Sequence, residues 1–72
     1  MIELLRSNDV VLISFAEALL SEAGITHAVV DRNMSVVEGS LGILPRRILV
    51  AADQHESARE LLAEAGLARE LS

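Results

Sequence analysis

Two runs with helical spacing and three shorter, strand-like runs account for most of the chain. Residues 2–6 read as a strand, with Ile2, Leu4 and Arg6 on one face and Glu3 and Leu5 on the other. Ser7, Asn8 and Asp9 follow as a cluster of capping side chains, and Asp9 also suits the positive end of a helix dipole. The helix is predicted to run to about Ala23. Leu12, Phe15, Ala16, Leu19, Leu20 and Ala23 recur at helical spacing, with Ser14, Glu17 and Ser21 opposite. Gly24 is placed to end it in the left-handed conformation. Residues 26–31 and 47–51 read as the second and third strands. Asp53 is the expected cap of a second helix, with Glu56 completing a capping box. Ala58, Leu61, Leu62 and Ala65 form that helix's apolar stripe, and Gly66 closes it. Residues 67–72 fit either a short edge strand or a frayed end.

The helix endings echo one another, LLSEAGI at 19–25 and LLAEAGL at 61–67. With the order β-α-β, connector, β-α-(β), the echo favours an α+β, ferredoxin-like βαββα(β) sandwich in one domain spanning 1–72. Right-handed crossovers place both helices on one face of a small antiparallel sheet. The rival is an open three-stranded sheet with no fourth strand. Period two then assigns Leu4, Ala28, Val30, Ile48 and Val50 to the face beneath the helices. Glu3, Leu5, His27, Val29, Arg47 and Leu49 fall on the open face. Burying each of its large aliphatics would contribute about 1.5–3 kcal/mol.

The connector at 31–47, DRNMSVVEGSLGILPRR, exceeds the usual hairpin loop of roughly 2–5 residues about threefold. Met34, Val36, Val37, Leu41, Ile43 and Leu44 make it too apolar for a solvated tether, so it is expected to be ordered. It either folds across the open face or joins Leu5, Val29 and Leu49 in a surface that another subunit covers.

Composition narrows the partners. The chain has 72 residues, 51% of them apolar, but Phe15 is its one aromatic, so the core is aliphatic. A domain of this size buries only about 60% of its unfolded surface and often needs an additional staple. There is no cysteine, which excludes disulfides and thiolate metal sites, and His27 and His55 fall short of a metal cluster. Self-association is the staple left open. A net charge of −5 and the near absence of aromatics argue against nucleic acid. No apolar run reaches the ~20 residues that span a bilayer, and residues 1–6 lack a signal-peptide pattern, so the expected location is cytoplasmic.

Candidate chemistry is sparse. Gly39, Ser40 and Gly42 have a phosphate-loop flavour, but a strand rather than a helix follows them, which favours turn-forming glycines. Arg32, Arg46 and Arg47 are expected at the connector end of the sheet and could hold an anionic metabolite or nucleotide. Asp31 and Glu38 lie near enough in sequence to neutralise them. Asp9 and Asp53, expected at the same end of the sheet beyond parallel first and third strands, are better explained as caps than as an acid/base pair. No nucleophile–base–orienter set can be assembled, so no enzyme and no cofactor are expected.

Several stretches together resemble a known bacterial family. They are LLRSND near the start, EAGI after the first helix, DRNMS, EGSLG, LPRR and the ARELLAEAG ending. The likeness spans about Glu3 to Leu67 and is most specific from Asn33 to Arg47. The family is a domain of unknown function described as a putative prokaryotic signal-transducing protein. The resemblance implies a ferredoxin-like core similar to that of the trimeric nitrogen-regulatory proteins. Those regulators bind nucleotide through a long loop, whose length and motifs this chain lacks, so none of their binding residues is carried over. The expectation is a small regulatory or interaction module, a homo-oligomer or the partner of another protein. An anion sensor at the arginines is the alternative.

Overall fold

The computed structural model describes residues 1–31 and 46–71. They form a three-stranded antiparallel sheet with two helices, an α+β fold. The elements are β1 (Ile2–Ser7), α1 (Val10–Glu22), β2 (His27–Asp31), β3 (Arg46–Val50) and α2 (His55–Leu62), and the sheet order is β1-β3-β2.

Local signals set the ends of α1. Asp9 Oδ1 accepts from the Val11 and Leu12 N–H groups at 3.0 and 3.3 Å, and Ser7 Oγ accepts from the Asp9 N–H at 3.0 Å. Two of the orphan donors of the first turn are thereby satisfied. At the other end Ile25 N–H reaches Leu20 O at 3.0 Å and Gly24 N–H reaches Ser21 O at 3.1 Å, with Gly24 at φ 74°. These paired bonds are a Schellman closure, and its apolar contact is made by Ile25, which is buried along with Leu20.

The second helix begins differently from the sequence expectation. Asp53 does not cap it: a 3-10 turn over Ala52–Gln54 starts earlier, closed by Gln54 N–H to Ala51 O at 2.9 Å. Asp53 therefore lies inside the turn, and α2 follows without a side-chain cap. Gln54 instead accepts the Thr26 N–H at 2.9 Å, while Ala51 N–H donates to Thr26 O at 3.1 Å. These bonds pin the start of α2 to the start of β2. Beyond Leu62 the chain winds on through a wider turn to Gly66, at φ 93°, and a 3-10 turn over Ala68–Glu70. Leu71 then makes a single antiparallel bridge to Leu5. Among the described residues, the C-terminal segment contributes that bridge and no fourth strand.

One core joins the sheet to both helices. Leu4, Leu5, Ile48 and Val50 are fully buried with Ala16 and Leu20 of α1 and Ala58 and Leu62 of α2. Ile13 and Ile25 complete it, and Leu12, Leu19, Val29, Leu61, Leu67 and Leu71 pack around its margin. Phe15, expected in the core stripe of α1, is 47% exposed, and Val11 beside it is 74% exposed. The helix is apolar nearly all round, so its inward face is fixed by the sheet, which selects Ile13, Ala16 and Leu20.

The face assignment also changes. The pairing of β1 with β3 shifts between Glu3 and Leu5, a bulge that sets Leu5 opposite Ile48 and both beneath the helices. β2 pairs in unbroken register, with His27 opposite Val50 and Val29 opposite Ile48. Residues directly opposite share a face. Leu5, His27 and Val29 therefore belong to the helix side, not to the open face. Ala28 and Val30, expected beneath the helices, stand with Leu49 and Arg47 on the other side.

Candidate functional site

The face of the sheet away from the helices carries Glu3 and Arg6 from β1, Arg47 and Leu49 from β3, and Ala28 and Val30 from β2. Register places Ala28 opposite Leu49 and Leu49 opposite Glu3. The result is an aliphatic strip, Val30, Ala28 and Leu49, with a charged border on the β1 side. Among the described residues, no helix lies over it.

That border is an ionic cluster. Arg6 and Arg47 are direct cross-strand partners, an arrangement that would be repulsive without an anion between them. Glu3 supplies it, its Oε1 lying 3.1 Å from Arg6 and 3.8 Å from Arg47. The Arg6 side chain is 56% exposed, so the pair adds little to stability and serves chiefly to fix the two guanidinium groups.

Of the expected arginines, the two on β3 stand on opposite faces of the sheet. Arg46 pairs with Ser7 and with position 31, on the helix side, whereas its neighbour Arg47 points to the open face. Strand alternation drives adjacent residues apart, and it brings Arg6 to Arg47 in place of Arg46. Sequence reasoning missed Arg6 because its partner is visible only once β1 is known to pair with β3. Asp9 and Asp53 are also separated: β1 and β3 are antiparallel, so the residues following them lie at opposite ends of the sheet. Arg32, Gly39, Ser40 and Gly42 lie outside the described residues, as do Met34, Val36, Val37, Glu38, Leu41, Ile43 and Leu44.

On the helix side, the His27 ring lies between β2 and α1. Its Nδ1 lies 2.8 Å from Ile25 O, and because a carbonyl can only accept, that nitrogen carries the proton. Nε2 is then turned toward Glu17 of α1, 3.8 Å away. An open groove of about 240 Å³ between α2 and the C-terminal turn is lined by Glu56, Arg59, Glu60, Ala63, Ala68 and Leu71. It is smaller than the usual ligand pocket of about 300–1,000 Å³ and mixes charges of both signs. Among the described residues, no three His, Asp or Glu side chains converge on a point, and no helix is long and apolar enough to cross a membrane.

The model of one protein family, described as putative prokaryotic signal transducing protein, matches residues 1–66. No curated protein matches the chain.

Proposed function

Since the chain belongs to the family of putative prokaryotic signal transducing proteins, we propose that it is a non-enzymatic regulatory module that works by contact with another protein. The contact surface is the open face of the sheet, with the 31–47 connector contributing to it. We read the scaffold as ferredoxin-like: β1 and β2 run the same way with β3 between them, and Leu71 lies where a fourth strand would pair with β1.

The observation that supports this most is the composition of that face. A strip of Val30, Ala28 and Leu49 on adjacent strands, bordered by Glu3, Arg6 and Arg47, has the apolar centre and polar rim of a protein interface. The anion-sensor reading ranks second. Arg6 and Arg47 already share Glu3, so an incoming carboxylate or phosphate would have to displace a tethered one.

The double variant Val30→Thr/Leu49→Thr tests the reading, because threonine keeps strand propensity while removing the apolar strip. In an extract of the host cell, the wild-type chain should retain a protein that the variant releases. Equal retention by both, with both folded by circular dichroism, would remove the open face as the working surface.

A further inference from the structure

The two outer edges of the sheet are built differently. That of β1 is bent by the bulge at Glu3 and Leu5 and closed in part by the Leu71 bridge. Bulges and short covering segments are how sheets protect an edge from pairing with other chains. β2 has neither. Its five residues, His27–Asp31, run in unbroken register against β3, and among the described residues no strand pairs with its outer side. The strand contains no proline, glycine or lysine to discourage a partner.

From these features we infer that the β2 edge is a self-pairing surface whose occupant is a second copy of the same chain. A two-fold axis through Val29 pairs β2 antiparallel with its counterpart, and one register uses the whole strand. In it, position 27 of each copy faces position 31 of the other, Ala28 faces Val30, and Val29 faces itself. Both ends then set a histidine opposite an aspartate, a pair able to carry opposite charges, while the middle is aliphatic throughout. A shift by one residue in either direction leaves an end residue unpaired and breaks the match of imidazole with carboxylate. The interface is isologous and closes after two copies, so it yields a dimer and not a filament.

The dimer is a continuous six-stranded sheet, β1-β3-β2-β2-β3-β1. Its open face joins the two strips of Val30, Ala28 and Leu49 into one. The pairing goes beyond the proposed partner contact and stands whether or not that face receives another protein.

Charge exchange between copies tests it on the full chain. His27→Glu sets glutamate against Asp31 of the other copy, and Asp31→Arg sets arginine against His27. Sedimentation should show a wild-type dimer, and each single variant should dimerise roughly tenfold more weakly. An equimolar mixture of the two variants should recover dimer, because glutamate then meets arginine and Asp31 meets His27. That recovery is the signature a purely structural role would not give. If His27→Glu melts early because Glu17 now repels it, the mixture is repeated in a Glu17→Gln background. A wild-type monomer at all concentrations, single variants that dimerise as well as wild type, or folded variants that do not recover on mixing would each overturn the inference. Capture of a partner by the open face, scored on the same samples, separates failure of the dimer from failure of the proposed function.

Discussion

The placement of Leu5 and Leu49 on opposite sides of the sheet makes a quantitative prediction, because strict alternation would put them on the same side. Leu5 is fully buried in the core beneath the helices, whereas Leu49 stands half-buried on the open face. Truncating Leu5 to alanine deletes the carbons beyond Cβ, worth roughly 2.4 kcal/mol at about 0.8 kcal/mol for each buried methylene-sized group. The residual cavity raises this to about 3–4 kcal/mol, inside the ~2–5 kcal/mol range for buried leucines. The same deletion at Leu49 removes surface already partly in water and should cost about 1 kcal/mol. A domain of this length has a total stability of roughly 4–11 kcal/mol, so the first change removes a large share and the second does not. At about 4–8 °C per kcal/mol, Leu5→Ala should lower the melting temperature by roughly 12–30 °C and Leu49→Ala by less than about 10 °C. With no tryptophan or tyrosine in the chain, far-UV circular dichroism during urea and thermal unfolding is the suitable assay. Equal losses at the two positions, or a larger loss at Leu49, would refute the bulge and with it the assignment of the open face.

Two further predictions concern the ends of α1. Asp9→Ala leaves the Val11 and Leu12 N–H groups without their shared acceptor and should cost about 1 kcal/mol, with Asp9→Asn recovering most of it by urea titration. Gly24→Ala places a side chain at φ 74° in open space, so its cost of about 1–2 kcal/mol is backbone strain alone, and Gly24→Asn should lose less.

Features written into a few neighbouring residues were legible in the sequence. Ser7-Asn8-Asp9 and Gly24 predicted both ends of α1 because capping and left-handed closure are chemistry within one turn. The assignment of faces was not legible, for reasons outside any one segment. In His-Ala-Val-Val, apolar residues occupy both parities, so period two carries no preference, and the face of β2 follows from Val29 standing opposite Ile48. Leu4 and Leu5 are both buried because β1 bulges against β3, which neither leucine announces. Asp53 had the spacing of a cap, but the turn that begins after Ala51 comes too early for it. The candidate site was half visible: Glu3, Arg47 and Leu49 were placed on the open face by alternation, while Arg6, Ala28 and Val30 join them through pairing alone.

The distribution of burial connects the fold to where it should act. β1, β3 and both helices each contribute fully buried residues to the core, whereas His27, Ala28, Val29 and Val30 of β2 are all half-buried. That strand is held by β3 on one side and by the Gln54 contact just before its start. Of the described strands it therefore has the least burial to hold it in place. Regions of low local stability are where binding can change most for a given interaction energy, because a partner adds order that the free domain has not already spent. The same strand supplies Val30 and Ala28 to the open face and offers the straight outer edge. A contact at either surface would act on the element that the core anchors least, and β3 would pass the effect to the rest of the sheet.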